Sequence, residues 1–307
     1  RHPFEIAHRG ASGYLPEHTL EATAMAHGLG AAFIEQDVAM SSDGVLVVMH
    51  DITLDSVTDV AVRFPDRARE DGKFYAIDFT LDELKSLVVR ERRKHGSDER
   101  AFPNRYPDDQ PAFRIPTFEE CLRLIGGLNV STGRTAGVYV EIKRPAWHLA
   151  QGRDLGAAVV EMLARHGYRE KGDPCYVQCF ELDEVRRLRG DLGYRGRLVQ
   201  LMSGSKGEGG SDFDRMRTEE GLRELAALGV DGIGPALRDV VDGDPKGGWA
   251  VTGLVKSAHA AGLEVHPYTA RVDELPKWAK TYAELIEGLR AAKVDAYFTD
   301  FPGLADH

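Results

Sequence analysis

The sequence predicts an α/β protein built as a (β/α)₈ barrel, and three observations lead to this prediction. Eight short runs rich in β-branched and aromatic residues recur along the 307 residues. Amphipathic helical runs lie between most of them. Several of these helical runs end in glycine, the usual residue at a helix C-terminus. Strands that alternate with helices form parallel sheets, and eight such units close into a barrel. A doubly wound open sheet is the alternative.

The predicted barrel strands are short and are bounded by turn residues. In chain order they are 4-FEIA-7, 33-FIEQDV-38, 138-VYVEIK-143, 175-CYVQCF-180, 197-RLVQL-201, 230-VDGIG-234, 264-EVHPYT-269 and 295-DAYFTD-300. The predicted helices carry apolar residues at helical spacing. In chain order they are 19-TLEATAMAHGLG-30, 117-TFEECLRLIGGL-128, 155-LGAAVVEMLARHG-167, 181-ELDEVRRLRGDL-192, 218-TEEGLRELAALG-229, 249-WAVTGLVKSAHAAG-262 and 282-YAELIEGLRAAK-293.

One region interrupts this alternation. The turn 42-SDG-44 joins the second strand to the apolar run 45-VLVVMHD-51, which predicts a hairpin. The next 65 or so residues are rich in proline and charge, with segments such as 102-FPNRYPDDQP-111. We interpret residues 52 to 116 as an insertion in one strand-to-helix loop, over the barrel mouth, within a single domain that spans residues 1–307. Loops of this length are usually functional.

The charge balance argues against a nucleic-acid partner. The chain has 39 Lys and Arg against 49 Asp and Glu, and a formal net charge of -10. Binding to phosphate backbones needs clustered basic residues. The densest basic run, 90-RERRKHG-96, is flanked by acids and is interpreted as a solvated helix end. The sequence has no apolar run long enough to span a membrane, and it shows no signal peptide.

Carboxylates occur where predicted strands end, which is the catalytic face of a barrel. Glu35 and Asp37 are two residues apart on one strand, so their side chains point the same way. Glu141 ends the next barrel strand. Three carboxylates without histidine or thiolate favour a hard cation, Ca²⁺ or Mg²⁺. The alternative is a structural network in which these acids pair with Arg and Lys.

Cations and histidines occupy the same predicted face. Arg9 and Lys143 suit a phosphate, whose oxygens accept from guanidinium and ammonium groups together. Arg9 could instead be the bidentate partner of one of the carboxylates. His8 and His50 could move protons during cleavage of a phosphodiester, because histidine titrates near neutral pH. A structural role is the alternative for each histidine taken alone.

These residues, in this order, resemble the glycerophosphodiester phosphodiesterase family, and most closely its calcium-dependent periplasmic bacterial branch. The matching segments are 7-AHRGASGYLPEHT-19, 34-IEQDVAMSSDG-44, 47-VVMHDITLDSVTDV-60, 63-RFPDRAREDGKFYAIDFTLDELKSL-87, 140-VEIKRP-145, 177-VQCF-180, 265-VHPYT-269 and 298-FTDFP-302. The resemblance implies a barrel with an insertion after the second strand, and hydrolysis of glycerophosphodiesters to sn-glycerol 3-phosphate and an alcohol. It also implies a periplasmic or secreted location.

The resemblance assigns roles to ten residues. The acid/base pair would be His8 and His50. The ligands of Ca²⁺, or of Mg²⁺, would be Glu35, Asp37 and Glu141. The substrate-binding residues would be Arg9, Lys143, Gln178, Phe180 and Tyr268. The family uses the glycerol 2-hydroxyl of the substrate as nucleophile and forms a cyclic phosphate, which agrees with the lack of an obvious Ser or Cys nucleophile in this sequence.

The sequence departs from the family pattern at three places. Position 18 is His where much of the family has Asn, and we interpret His18 as capping or tethering the first helix. The segment 144-RPAWH-148 has Ala where close relatives have Trp, and 203-SGSKGEGGSDFD-214 is short and glycine-rich. Both of these changes would alter the pocket for the alcohol group.

Three other activities fit the same pattern less well. One is a phosphodiesterase that removes units from a glycerol-phosphate polymer such as teichoic acid, which an open pocket beyond the phosphate would favour. Another is a lyase that stops at the cyclic phosphate, although lyases of this kind lack so long an insertion. The last is a non-catalytic barrel that binds phosphorylated ligands.

Overall fold

The fold is a nearly closed barrel of eight parallel strands. The computed structural model describes residues 2–108, 113–244 and 248–306. Its strands are β1 (Phe4–Ala7), β2 (Phe33–Met40), β3 (Leu46–Val48), β4 (Gly137–Ile142), β5 (Cys175–Cys179), β6 (Arg197–Leu201), β7 (Gly232–Gly234), β8 (Val241–Asp244), β9 (Gly248–Val251), β10 (Glu264–Val265) and β11 (Ala296–Thr299). All eight predicted barrel strands are confirmed.

The strand order distinguishes a barrel from an open sheet. Hydrogen-bonded neighbours follow the order β10-β7-β6-β5-β4-β2-β1-β11. The remaining gap between the two ends is bridged just past β10. There Ala270 pairs with Thr299 in parallel, and the Ala270 N–H donates to the Phe298 carbonyl at 2.8 Å. The barrel prediction is therefore confirmed over the doubly wound alternative.

The described helices pack around the outside of the barrel, apart from two short ones between β3 and the fourth helix. They are α1 (Leu20–Gly28), α2 (Val60–Arg63), α3 (Leu81–Ser86), α4 (Phe118–Thr132), α5 (Pro145–Ala150), α6 (Leu155–Arg165), α7 (Leu182–Arg189), α8 (Phe213–Met216), α9 (Glu219–Ala227), α10 (Leu237–Val240), α11 (Leu254–Ala260) and α12 (Tyr282–Ala292). Side chains at their N-termini fix where several begin; in α4, Thr117 and Glu120 form a reciprocal capping box.

The predicted helix over 249–262 begins later than expected. Strands β8 and β9 form an antiparallel hairpin, so residues 248–251 are extended and the helix starts at Leu254. The ring of Trp249 lies 6.1 Å from that of Trp278, which anchors the hairpin. The Thr252 hydroxyl then accepts a hydrogen bond from the N–H of Leu254, the first residue of the helix. Tertiary packing of the tryptophan outweighs the local helical pattern here.

The lower half of the barrel interior is filled by aromatic side chains. Tyr139 and Tyr176 stack at 4.9 Å, and the Phe298 ring packs edge-on against Tyr139 at 5.0 Å. All three are almost fully buried. Residues two apart on a strand point the same way, so Glu141 and Gln178, which follow the tyrosines at that spacing, also face the interior, one layer higher. We call Tyr139, Tyr176 and Phe298 the aromatic floor.

The segment between β3 and α4 forms a small unit beside the barrel mouth. It contains α2, α3 and 3₁₀ turns at Pro65–Arg67 and Ala76–Asp78. Its own apolar cluster includes Leu54, Phe79 and Leu84, all fully buried. We call residues 52–116 the insertion; residues 109–112 lie outside the described part of the chain.

The basic run at residues 90–96 is not the solvated helix end that the sequence suggested. It is an irregular loop of the insertion. The Arg93 side chain is buried and bonds Asp108 at 2.7 Å. The guanidinium of Arg92 bonds two carboxylates of the barrel mouth. The first half of the run is therefore engaged in internal ion pairs, while residues 94–96 are exposed. Among the described helices, none has the length and apolar character needed to cross a membrane.

Candidate active site

The barrel register brings the predicted site residues together. Asp37 pairs with Glu141 in the ladder between β2 and β4, and Glu141 pairs with Gln178 between β4 and β5. Above the aromatic floor lies a cavity of about 320 Å³. Eight predicted site residues line it: His8, Arg9, Glu35, His50, Glu141, Gln178, Phe180 and Tyr268. Asp37 is fully buried beside this cavity, and Lys143 lines two neighbouring ones.

The three carboxylates are buried and close enough to repel one another. Burial raises the pKa of Glu35 well above its usual range, and the charges of Asp37 and Glu141 raise it further. Burial likewise raises the pKa of Glu141 to about 8. Burial acts in the same direction on Asp37, but Lys143, His50 and His18 outweigh it and hold its pKa well below the usual range. This cluster therefore needs a proton or a cation beyond Lys143.

One atom of the cluster points to a cation. Asp37 Oδ1 is buried and has no hydrogen-bond partner among the described residues. The ammonium of Lys143 is 3.8 Å away and bonds Glu141 instead, at 2.7 Å. A buried carboxylate oxygen without a partner is costly. A hard cation, which prefers carboxylate oxygens, fits the residues present.

His18 has a role that the sequence interpretation missed. Thr19, not His18, caps α1 by accepting from the Ala22 N–H. The His18 ring instead lies on Asp37, with Nε2 2.6 Å from Oδ2. The atoms of His18, Glu35 and Asp37 that could bind a metal ion all lie within 4.8 Å of one another.

The His18 contact is a hydrogen bond that orients a candidate ligand. Ligand atoms at right angles on a Ca²⁺ ion with bonds of roughly 2.4 Å lie about 3.4 Å apart. The 2.6 Å between His18 Nε2 and Asp37 Oδ2 is shorter than this and is typical of a charge-assisted hydrogen bond. Such partners behind a ligand fix its orientation. His18 therefore orients Asp37, and Asp37 Oδ1 stays available.

His8 is held by a carboxylate behind it. Its Nδ1 lies 2.6 Å from Asp300 Oδ1, and its Nε2 lies 3.9 Å from Glu35 Oε2, on the cavity side. Because the ionised carboxylate can only accept, Nδ1 carries the proton. Burial, followed by the nearby Arg9 cation, lowers the pKa of His8 to about 4. The ring is therefore neutral near pH 7, and Nε2 can accept a proton.

His50 has a similar arrangement on another loop. Its Nδ1 lies 2.7 Å from Asp51 Oδ1. Burial, Arg9 and Lys143 lower the pKa of His50 to about 3. Burial opposes ionisation of Asp51, but its hydrogen bond to His50 and the guanidinium of Arg92 hold its pKa far below the usual range. The cavity thus has two neutral histidines, each with an ionised aspartate at Nδ1.

Arg9 does not pair in the way that the alternative interpretation proposed. Its backbone adopts a left-handed conformation, with φ of 58°, and its N–H donates to Glu35 Oε2 at 2.8 Å. Its guanidinium donates to both oxygens of Glu17 at 3.1 Å, while Asp37 is 3.9 Å away. The carboxylate that the Arg9 guanidinium bonds, through Nη1 alone, is therefore outside the predicted carboxylate cluster.

The remaining predicted residues form one wall of the cavity. Gln178 Nε2 donates to Glu35 Oε1 at 3.0 Å, so this amide orients a carboxylate. The rings of Phe180 and Tyr268 meet edge-on at 6.2 Å. The Tyr268 hydroxyl donates to the Met202 carbonyl at 2.5 Å. Phe180 and Tyr268 therefore give this wall two aromatic rings beside the Gln178 amide.

Sequence reasoning missed the residues that support the two histidines. Arg105 and Arg271 bond Asp300 at 2.8 and 2.6 Å. Arg92 donates to Asp51, and Glu17 accepts from both Arg92 and Arg9. Asp300 is the last residue of the last predicted strand, and this position was the available signal. The contacts of Arg92 and Arg105 join residues far apart in the chain, which no local pattern reveals.

Comparison with known proteins identifies the family of this chain. The model of the glycerophosphoryl diester phosphodiesterase family matches residues 8–304. A glycerophosphodiester phosphodiesterase of Haemophilus influenzae is 39% identical, over 97% of this chain and 87% of that protein. One from Treponema pallidum is 34% identical, over 97% and 89%.

Solved structures show the same fold. A crystal structure from Silicibacter pomeroyi has a TM-score of 0.71 and 26% identity, over 98% of this chain and 91% of that one. A phosphodiesterase of Oleispira antarctica, in complex with the product sn-glycerol-3-phosphate, has a TM-score of 0.64 and 21% identity, over 99% and 95%. The match of sequence over nearly the whole chain shows that it belongs to the glycerophosphoryl diester phosphodiesterase family.

Proposed function

We propose that this chain hydrolyses glycerophosphodiesters, such as glycerophosphocholine and glycerophosphoethanolamine, to sn-glycerol 3-phosphate and an alcohol. One observation carries the proposal. Two neutral histidines, each held at Nδ1 by an ionised aspartate, line one cavity with a cluster of buried carboxylates. Family membership and the names of the relatives support it, as does the product bound to the Oleispira antarctica protein.

The two histidines would move the protons of both steps. One ring accepts the proton of the glycerol 2-hydroxyl at Nε2, and that oxygen forms a bond to phosphorus. The bond from phosphorus to the alcohol oxygen breaks, and the other histidine, which takes up a proton at Nε2 from solvent when the anionic substrate binds, gives that oxygen this proton. Water then opens the cyclic phosphate with the two roles exchanged. His8 and His50 suit this exchange because Asp300 and Asp51 stabilise each ring when it becomes charged.

The carboxylate cluster would hold a divalent cation. Glu35, Asp37 and Glu141 supply its oxygens, and their number and charge favour Ca²⁺, with Mg²⁺ as the alternative. When bound, the cation would polarise the phosphoryl oxygens. Arg9 and Lys143, whose charges lie beside the same cluster, would hold the phosphate.

A neighbouring cavity supports a second candidate function. A space of about 460 Å³ shares His50 with the first cavity, and its lining includes Lys73, Lys143 and Arg144. Cations beyond the phosphate suit a substrate that continues as an anionic chain. Stepwise release of units from a glycerol-phosphate polymer such as teichoic acid would use this space.

The test measures release of glycerol 3-phosphate from glycerophosphocholine after chelation, and again with Ca²⁺ or Mg²⁺ restored. Release that stops on chelation and returns with one ion supports the proposal and identifies the ion. The His50→Ala variant is the background control. Release unaffected by chelation would refute the role of a cation. No release with either ion, but release from a glycerol-phosphate polymer, would favour the second candidate. Accumulation of the cyclic phosphate would indicate a lyase.

A periplasmic or secreted location is part of the proposal, and it rests on resemblance to the periplasmic branch. Fractionation of the cells that produce the protein would test it. Recovery from the cytoplasmic fraction alone would contradict it.

A further inference from the structure

The insertion contributes one arginine to each of the carboxylates behind the two histidines. Arg92 donates to Asp51 Oδ2 at 2.7 Å, and Asp51 Oδ1 bonds His50. Arg105 donates to Asp300 Oδ2 at 2.8 Å, and Asp300 Oδ1 bonds His8. In each case the aspartate is shared between a histidine on one oxygen and an arginine on the other.

The position of Arg92 is itself fixed by a second carboxylate. Its Nε and Nη2 donate to the two oxygens of Glu17 at 2.8 and 2.6 Å, which is a bidentate pair. The third arm of the guanidinium is then directed at Asp51. Glu17 also accepts from Arg9, so this carboxylate lies between two guanidinium groups. The Arg92 and Glu17 side chains are 18% and 10% exposed, so water screens the contact only weakly.

The two histidines differ in how many groups hold their aspartates. Asp300 Oδ2 receives bonds from Arg105 and also from Arg271, at 2.6 Å. Asp51 Oδ2 receives its bond from Arg92. An aspartate bonded on both oxygens cannot rotate freely. It therefore fixes the plane of the imidazole and keeps the proton on Nδ1.

We propose that Arg92 is a positioning residue for His50, and that the insertion is thereby part of the catalytic apparatus. Arg92 is held in place by Glu17, and through Asp51 it sets the orientation and the tautomer of the His50 ring, so that Nε2 stays free to exchange protons with the substrate. This inference rests on the proposed role of His50 in acid/base catalysis. It adds that the role depends on a loop of the insertion that lies 41 residues after Asp51.

The first test is steady-state kinetics of Arg92→Gln with glycerophosphocholine and the restoring cation. We expect kcat to fall roughly ten- to a hundredfold, because a small misorientation of a catalytic group has effects of that size. We expect KM to change less than about twofold, because Arg92 acts through Asp51. Arg92→Lys should recover part of kcat, since an ammonium can replace the bond to Asp51 but not the bidentate pair with Glu17.

A matched control separates positioning from loss of packing. Arg67 is another insertion arginine, which bonds Glu83 at 2.8 Å and packs over Phe79, away from the cavity. Arg67→Gln should lower the melting temperature and leave kcat within about twofold of the original value. An equal loss of kcat in Arg67→Gln and Arg92→Gln would overturn the proposal.

A double-mutant cycle tests the coupling directly. If Arg92 acts through Asp51, the Asp51→Asn/Arg92→Gln variant should have the same kcat as Asp51→Asn alone. Additive losses of kcat would overturn the inference.

Arg105→Gln should lower kcat less than Arg92→Gln does, because Arg271 still holds Asp300. If His50→Ala remained active, the proposed function of His50 would fail. If His50→Ala were inactive and Arg92→Gln kept full kcat, only the present inference would fail.

Discussion

Replacing Glu91 with Gln should stabilise the protein at alkaline pH but not at acid pH. Glu91 lies in the insertion, and only 5% of it is exposed. Its Oε1 has no hydrogen-bond partner among the described residues. Burial raises its pKa from the usual 4.5 to about 7, against the opposing charge of Arg105. The folded protein therefore holds a proton on Glu91 that the unfolded chain releases.

The sign follows from the two pKa values. Between about pH 4.5 and 7 the folded state binds more protons at Glu91 than the unfolded chain does. The free energy of unfolding therefore falls as pH rises through this window and remains at the lower level above it. The gap between 4.5 and about 7 corresponds to about 3 kcal/mol, at roughly 1.4 kcal/mol per pH unit. Gln keeps the shape of the side chain and does not ionise.

The assay compares melting temperatures of the original protein and Glu91→Gln at pH 5 and pH 8. We expect the variant to melt roughly 5 °C higher at pH 8, at roughly 2 °C per kcal/mol for a chain of this size, with little difference at pH 5. Glu70→Gln, at an exposed site of the insertion, controls for loss of one negative charge. An equal difference between Glu91→Gln and the original protein at both pH values would refute the reasoning.

Two further predictions concern the site itself. His8→Ala and His50→Ala should each lower kcat at least about a hundredfold with the fold intact, as measured by kinetics and circular dichroism; near-original activity would remove that histidine from the mechanism. Glu35→Gln and His18→Ala should both weaken Ca²⁺ binding in calorimetry. For His18→Ala we expect a loss of affinity of roughly tenfold or more, because Asp37 loses its orienting bond. His18→Asn should retain more affinity than His18→Ala. Unchanged Ca²⁺ affinity in Glu35→Gln would contradict the ligand assignment.

The parts of the fold that the sequence predicted are those with a local cause. Each barrel strand is a short apolar run, and its periodicity is visible without the rest of the chain. The convergence of Glu35 and Asp37 followed from their spacing of two. Glu141 joined them because the ends of parallel strands meet at one edge of the barrel.

The parts that the sequence could not predict depend on distant contacts. Arg92 meets Glu17 across 75 residues, and Arg105 meets Asp300 across 195. The basic run containing Arg92 looked solvated because the two carboxylates that Arg92 bonds, Glu17 and Asp51, lie elsewhere in the chain. His18 looked like a helix cap because it precedes α1, but the hydroxyl of Thr19 caps that helix and the ring of His18 reaches Asp37.

The aromatic floor determines how molecules pass through the site. Because stacked Tyr139 and Tyr176 fill the barrel below the carboxylates, the cavity is closed at its lower end. Substrate, departing alcohol and incoming water must therefore all pass on the side of the barrel mouth, beside the insertion. In the proposed reaction, the water that opens the cyclic phosphate arrives from the same side by which the alcohol leaves. This shared route is a consequence of the side chains that close the other end of the barrel.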